Sequence, residues 1–455
     1  MRQLLQKQQI FFNSQQTKSI TYRENVLKKL RQEIIANEDA ICDAIYADFK
    51  KPKFETITTE TQFVLAEINN ALKNLKKWSK PKKVASSLLN WPSYDWVYKE
   101  PYGNVLIIAP WNYPFQLAIA PLIGAIAAGN TAVIKPSELT PNTAAIISTI
   151  ISAVFSPEYV TVVEGGVNIS QQLLAQKWNY IFFTGSTHVG QIVYESAAKH
   201  LTPVALELGG KNPCIVDATA TISTAAKRIV WGKFMNAGQT CIATDYILVH
   251  KSIKDKLIKS IKECITTFYS DTIETSKDYA RVINPKHYKR LKLMLENQEI
   301  LFGGNYTDAD NYLAPTLVNE PSIDSDLMKD EIFGPILPII SYETLEDIHS
   351  YITNYEKPLA TYVFSENKSF QDKILNTYSF GSGAINDTVI QVANKKLPFG
   401  GVGASGIGSY HGKNSFFLFS HQKSIIKKPT WLDIPLRYPP YNLPIKWAKK
   451  LRKIF

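Results

Sequence analysis

The sequence predicts an α/β protein of two units, the first built on a parallel sheet, and three observations predict it. A chain of 455 residues exceeds one ordinary core, because domains usually hold ~100–200 residues. From residue 104, short runs rich in β-branched residues alternate with helical stretches, the mark of βαβ units. A second mixed pattern of strands and helices begins near residue 212.

Taken in order, residues 21–48 and 56–77 carry apolar side chains at helical spacing with charges between them. "LKKWSKPKK" (75–83) follows as a charged, solvated connector. "NVLIIA", "NTAVIK", "VTVVEGG", "YIFFTGS" and "PVALELGG" are strands, each followed by helix periodicity or helix-starting residues. Crossovers of ~20–30 residues suit right-handed connections with helices on both faces. "LAIAPLIGAIAAG" (117–129) is too short for a membrane span of ~20 residues and contains Pro121, so it is a buried helix. In the second unit "NPCIVD", "DYILVH" and "TYVFS" are strands, 222–235, 253–268 and 283–296 are helices, and the glycine-rich "LPFGGVGASGIG" (397–408) closes it.

Composition narrows the function classes. Apolar residues make up 45% and charged residues 20% of the chain, ordinary for a soluble globular protein. The N-terminus lacks the apolar core of a signal peptide. The four cysteines, Cys42, Cys214, Cys241 and Cys264, show no CxxC or Cys/His spacing, which argues against zinc and for free thiols in a reducing, cytoplasmic compartment. The net charge of +11 is concentrated in the tail, where residues 427–455 hold eight Lys/Arg against one Asp. The body of the chain therefore lacks a nucleic-acid-binding charge pattern, and no such motif is present.

In an open parallel sheet, ligands bind beyond the carboxyl ends of the strands. The residues that follow the strands here are Pro110-Trp111-Asn112, Lys135-Pro136-Ser137-Glu138, Glu164-Gly165-Gly166, Thr184-Gly185-Ser186 and Glu207-Leu208-Gly209-Gly210. One edge thus gathers carboxylates, a lysine, an amide and glycines, a set suited to phosphates and riboses. In "FTGSTHVGQ", Gly185 and Gly190 flank a helix start that either receives a pyrophosphate or is a plain structural turn. Lys135 and Glu138 either bond ribose hydroxyls or belong to a helix-start turn with Ser137 as its cap. Glu207 lies in an otherwise apolar strand. Burial would raise its pKa into the range of a general base, although a carboxylate bonded to nearby backbone fits the pattern too.

"FMNAGQTCIATDYILV" (234–249) places Cys241 in a turn of small and polar residues just before a strand. A thiol there becomes a nucleophile toward a carbonyl if a base takes its proton, and Glu207 can be that base, directly or through water. The Asn112 side chain and the Cys241 backbone N–H can donate to the developing oxyanion, where losing one donor typically costs ~10²–10³ in rate.

Together these residues resemble the aldehyde dehydrogenase superfamily over about residues 10–425. The resemblance rests on "APWNYP" (109–114), "IKPSE" (134–138), "FTGS" (183–186), "LELGGK" (206–211), "GQTC" (238–241), "EIFGP" (331–335) and "PFGGVGASG" (398–406). "SYHGKNSF" (409–416), the short N-terminus and "CIATDYILVH" are similar to the class-3, fatty-aldehyde branch, and to bacterial enzymes acting on long apolar or apocarotenoid aldehydes.

The resemblance implies an α/β architecture of three parts. A Rossmann-like cofactor domain would span 1–83 and 103–209, and an α/β catalytic domain 210–409. A small bridging β-sheet for dimerisation would come from 84–102 and 410–430, with a basic tail at 431–455. It implies that Cys241 is the nucleophile, Glu207 the general base and Asn112 the oxyanion donor. Lys135 and Glu138 would hold the adenosine ribose, Gly185 and Ser186 the phosphates, and Glu331 the nicotinamide ribose. Phe333 would pack by the nicotinamide, with Trp111 and Leu208 completing the cofactor contacts. Tyr113, Trp231, Phe399 and His411 would line the substrate entrance, although each suits a plain core as well. The cofactor would be NAD, with NADP possible, no metal would be required, and the assembly would be a homodimer. Thr244 departs from the proline that class-3 relatives carry and would loosen the loop after Cys241.

"LPIKWAKKLRKIF" (443–455) sets Trp447, Leu451 and Ile454 near one helical face and the cations largely elsewhere. Such a tail can contact an anionic membrane surface, remain a flexible extension, or pack on a dimer partner. Two rival functions share the fold: an acyl-CoA-forming aldehyde dehydrogenase and a non-catalytic, membrane-attached binding protein. Glu207 argues against the first, and the combination of Cys241, Glu207 and Asn112 against the second.

Overall fold

A computed structural model describes residues 1–442 and 444–450 of the chain. Its first sheet has the strand order Gly406–Ile407, Val204–Glu207, Tyr180–Thr184, Asn104–Ile108, Thr131–Lys135, Val160–Val162. All pairs are parallel except the first, where Gly406–Ile407 runs antiparallel to Val204–Glu207. Every residue of the strands Asn104–Ile108, Thr131–Lys135 and Tyr180–Thr184 is buried. This explains why they are nearly continuous apolar runs rather than alternating ones. The helix Gln116–Ala128 is buried at all of its residues and ends at Gly129, whose φ of 100° few other residues adopt.

The second sheet has the order Ile300–Phe302, Thr316–Asn319, Ile336–Tyr342, Tyr246–His250, Pro213–Val216, Ala360–Phe364, Ser382–Ile385. Only the Ile300–Phe302 pairing is antiparallel. One apolar cluster runs from the helices Ile20–Ala36 and Gln62–Ser79 through the first sheet and into the second, including Val105, Ile134, Phe182, Val216 and Leu337. A third, antiparallel sheet joins Lys82–Val84, Tyr94–Pro101 and Ser420–Lys427.

Several expectations change. The stretch 21–48 is two helices, Ile20–Ala36 and Glu38–Phe49, because Asn37 turns the chain between them. The stretch 56–77 opens with the wide turn Ile57–Thr61 before the helix Gln62–Ser79. The solvated connector 75–83 is instead the last turns of that helix, with Leu75 and Trp78 buried, followed by an edge strand. Its lysines are exposed as expected of a solvated segment, and what charge content alone does not show is the burial of Leu75 and Trp78. The glycine run 397–408 does not close the second unit. Its Gly406 pairs with Glu207 on the first sheet, where a side chain would press on the Leu206 carbonyl, a β-carbon lying 2.5 Å away.

Candidate active site

The parallel strands of the first sheet deliver their carboxyl ends to one edge, and a cavity of about 640 Å³ opens there. Trp111, Asn112, Gly185, Ser186, Leu208 and Glu331 are among its walls, and Phe333 closes one side. Ser186 caps the helix Thr187–Ala198 by accepting the Val189 N–H, so a helix start with its positive end faces the cavity. The backbone comes close at two glycines. A β-carbon on Gly185 would lie 2.5 Å from the Phe183 ring, and one on Gly209 would lie 2.0 Å from Glu331 Oε2. The Gly210 backbone lies close enough to favour the Glu331 carboxylate. The Phe333 ring meets Trp111 edge to face, centroids 5.3 Å apart, and reaches it from a backbone φ of 49°. Exposed backbone, a helix start, an acidic side chain and an aromatic wall fit a dinucleotide.

A second cavity of about 390 Å³ approaches from the opposite side. Its walls are mostly apolar and aromatic, with Phe63, Tyr113, Leu117, Met235, Phe399 and Tyr410 among them. Trp231, 40% exposed, stands at its mouth with Ile390. Three residues line both cavities: Thr184, Glu207 and Cys241. The thiol and the carboxylate therefore sit where a polar cavity and an apolar one meet.

The loop carrying Cys241 joins the helix Ile222–Phe234 to the strand Tyr246–His250. Three to five residues before the cysteine, Asn236, Ala237 and Gly238 take φ values of 55°, 51° and 72°. For non-glycine residues such left-handed backbone costs roughly 1–2 kcal/mol each, so other contacts must hold it. The Asn236 side chain donates to the carbonyls of Asn112 (2.9 Å) and Gln239 (3.1 Å). Gln239 donates to Asn236 and Arg281 carbonyls and accepts from the Ile283 N–H. Asn112 Nδ2 donates to the Gln239 carbonyl at 3.1 Å, which links the first sheet to this loop. Beyond the cysteine, Asn212 Nδ2 donates to the carbonyls of Cys241 (2.8 Å) and Ala243 (3.0 Å). Lys211 and Asp245 form a buried ion pair at 2.6 Å. Asp245 also accepts the Ile332 N–H, so the segments bearing Glu207, Cys241 and Glu331 are fastened together. Thr244 is fully buried within this loop, so the expected loosening is not visible as exposure.

Burial sets the electrostatics. Glu207 is 2% exposed and neither carboxyl oxygen has a hydrogen-bond partner among the described residues, and desolvation pushes its pKa well above the carboxylate range. Burial likewise pushes the Cys241 thiol up, and the neighbouring Glu331 and Glu207 carboxyls add to this. Glu331 is itself lifted to about 8, by burial first and then by Asp245. The thiol at rest is thus protonated, and Glu207 can take its proton only once the carboxyl has itself ionised.

The structure brings Cys241, Glu207, Asn112, Trp111, Gly185, Ser186, Leu208, Glu331 and Phe333 to the first cavity, and Tyr113, Trp231 and Phe399 to the second. Lys135 and Glu138 stand outside both sets of walls. Lys135 Nζ is bonded to the Pro136 carbonyl at 2.7 Å and to Glu138 at 3.0 Å. His411 is corrected: it is 1% exposed and lies behind the channel wall, stacked on Phe399 at 5.1 Å, not at the entrance. Its ring packs against Phe63, Phe399 and Tyr410. Sequence reading missed the Lys211–Asp245 pair and the amides of Asn212, Asn236 and Gln239. "LELGGK" and "GQTC" contain or adjoin most of them, but their partners lie over thirty residues away or on other loops.

Residues 5–425 match the family model described as the aldehyde dehydrogenase family. The 4,4'-diaponeurosporen-aldehyde dehydrogenase of Staphylococcus aureus (strain NCTC 8325 / PS 47) is 50% identical over 97% of this chain and 97% of its own. A dimeric NADP-preferring aldehyde dehydrogenase of Canis lupus familiaris is 41% identical, covering 96% and 97% of the two chains. A solved structure of the substrate-bound state of Staphylococcus aureus AldH superposes with a TM-score of 0.97 at 49% identity, covering 99% of both chains.

Proposed function

The chain belongs to the aldehyde dehydrogenase family, oxidoreductases that use NAD or NADP, and from that premise we propose that its substrates are long apolar aldehydes, oxidised to carboxylic acids at Cys241. The observation that carries this reading is the sharing of Cys241 and Glu207 by two cavities, one shaped for a dinucleotide and one lined by apolar and aromatic side chains. A similar relative named for a diaponeurosporen aldehyde supports the same substrate class.

In this reading the aldehyde lies in the apolar channel with its carbonyl carbon at Sγ. Glu207, as carboxylate, takes the thiol proton while the S–C bond forms, and the carbonyl π pair moves to oxygen. Asn112 Nδ2 and the Cys241 N–H donate to that oxygen. Bound NAD or NADP would be held by Gly185, Ser186, Glu331 and Phe333, and would supply the acceptor for the aldehyde's hydrogen and electron pair. Cys241 then carries a thioester. After Glu207 has passed the thiol proton to solvent, it removes a proton from water as that water attacks the acyl carbon; the C–S bond breaks with its electron pair going to sulfur, and the acid leaves. The experiment is a panel of aldehydes from two carbons to polyene length, run with both cofactors and with coenzyme A present. Acid formation with kcat/KM rising along the apolar series supports the reading. Acyl-CoA as product, or a preference for the shortest aldehyde, refutes it.

Two further parts belong to the same proposal. The edge strand Ser420–Lys427 is exposed beyond Ser420, and Tyr94, Ile425 and Ile426 stand out beside it. An open edge of this kind suits pairing with a second copy into a homodimer. The tail presents Trp431, Tyr441, Ile445 and Trp447 to solvent, with Lys446, Lys449 and Lys450 on the short helix Ile445–Lys450. Leu451 and Ile454 of the expected apolar face lie outside the described residues. Aromatic rings among cations suit peripheral contact with an anionic membrane. Among the described residues no helix is long and apolar enough to cross one.

A further inference from the structure

Glu55 is a carboxylate in the wall of the otherwise mostly apolar channel. It sits on the short helix Lys53–Thr56, in the N-terminal part of the chain, beside Phe54, Thr58, Thr59 and Phe63 of the same wall. Its Oε2 accepts the backbone N–H of Asn236 at 3.0 Å. Asn236 is the first of the three left-handed residues that lead to Cys241. The other fastenings of this turn come from Asn112, Gln239 and the strand-loop segment 281–283. Glu55 alone among these partners belongs to the channel wall facing away from the cofactor cavity.

We propose that Glu55 is a positioning residue for the nucleophile: by accepting the Asn236 N–H it holds the left-handed turn 236–238 and so sets where Cys241 stands when an aldehyde fills the channel. This rests on the reading of Cys241 as the nucleophile. The chemistry explains why an acid occupies an apolar wall. A buried N–H at the start of a strained turn needs an acceptor, and an apolar side chain at position 55 would leave it without one. Lys51 lies near enough to favour the carboxylate, while burial and Asp278 oppose it, and the balance lifts Glu55 to about 7. Tyr113, Tyr269 and Tyr279 also face it, each being pushed up in part by its charge. The glutamine isostere keeps a carbonyl acceptor and loses only the charge.

The test compares Glu55→Gln and Glu55→Met with wild type in three measurements: kcat and KM for one medium-chain aldehyde, the rate of iodoacetamide alkylation of Cys241 followed by peptide mass, and NAD affinity by fluorescence. The expected result is that Glu55→Met lowers both kcat and the alkylation rate about tenfold with KM changed less than threefold, while NAD affinity is kept. Glu55→Gln should remain within about threefold of wild type in all three. Should the methionine variant not fold, Glu55→Ala is measured in its place, with the same losses of kcat and alkylation expected and wild-type values overturning the proposal. Wild-type kcat and alkylation in Glu55→Met, or a loss beyond threefold in Glu55→Gln, overturns the proposal. Failure of the underlying reading looks different, because wild-type Cys241 would then be replaceable by alanine without loss of turnover.

Discussion

Gly209 leaves the space that Glu331 occupies: a β-carbon at position 209 would lie 2.0 Å from Oε2 and 2.7 Å from Cδ of the glutamate. The contact joins the end of the strand bearing Glu207 to the loop that follows Lys329, and both line the cofactor cavity. Gly209→Ala therefore displaces the Glu331 carboxyl. The expected outcome is a coenzyme KM raised about tenfold or more, with iodoacetamide alkylation of Cys241 in the free enzyme little changed. Steady-state kinetics with varied NAD checks it.

Glu207 carries a stability cost that its function explains. Its folded pKa lies well above the unfolded carboxylate value, so between the two the folded state binds more protons. Stability therefore falls as pH rises through that window, and the loss is complete above the folded pKa. Glu207→Gln removes the buried ionisable group. It should raise stability by roughly 1–3 kcal/mol at alkaline pH, and the gain should vanish near pH 4 (about the unfolded carboxylate pKa). Denaturant titrations at the two pH values measure this directly. The rate of acid formation in wild type should climb with pH, since the base works only after losing its proton.

Trp231 is the one member of the channel wall named from sequence that remains largely exposed. Removing its ring in Trp231→Ala takes away about 60 Å² of apolar contact for a long chain. At ~25 cal/mol/Å² that is about 1.5 kcal/mol, or roughly tenfold in KM. Aldehydes of two or three carbons do not reach the mouth and should be unaffected. A chain-length series on the variant separates the two cases.

Deleting residues 443–455 removes Lys446, Lys449 and Lys450 together with Trp447. Each cation near an anionic surface contributes about 1 kcal/mol. Sedimentation with phosphatidylserine vesicles should drop to background, while activity on short aldehydes is preserved. Equal sedimentation of the truncated and full chains would count against membrane contact through the tail.

What was legible in the sequence follows from the range over which each signal acts. Strands such as Asn104–Ile108 and Tyr180–Thr184 are buried on both faces, so their apolar runs stand out locally. Thr316–Asn319, Ile336–Tyr342 and Ser382–Ile385 are not legible in the same way: Pro338 interrupts the second, Pro315 and Pro335 directly precede the first and second, and the third is only partly buried. Cys241 and Glu207 were legible because a thiol in a polar turn and an acid in an apolar strand each violate the local pattern. The pairing of Lys211 with Asp245 was not, because a lysine after two glycines looks solvated until the fold buries it. His411 was misplaced for a related reason. Its neighbours Tyr410 and Phe399 form the channel wall, and the imidazole packs against them without reaching the channel, a placement set by tertiary packing that no local pattern announces. The segment 75–83 is solvated at its lysines as its charge implies, but Leu75 and Trp78 are buried because its first residues belong to the helix Gln62–Ser79.

The most direct test of the account uses the Glu207→Gln enzyme mixed with a long apolar aldehyde and NAD, quenched in acid and digested for peptide mass. Acylation should slow, because the thiol must then lose its proton to solvent, but with the water-activating base absent the acyl group that does form should stay on sulfur. The peptide containing Cys241 should gain the aldehyde's mass less two hydrogens, with one equivalent of reduced cofactor per site and no further turnover. An unmodified Cys241 peptide alongside continued acid production, or the acyl mass on Cys42, Cys214 or Cys264 instead, would contradict it.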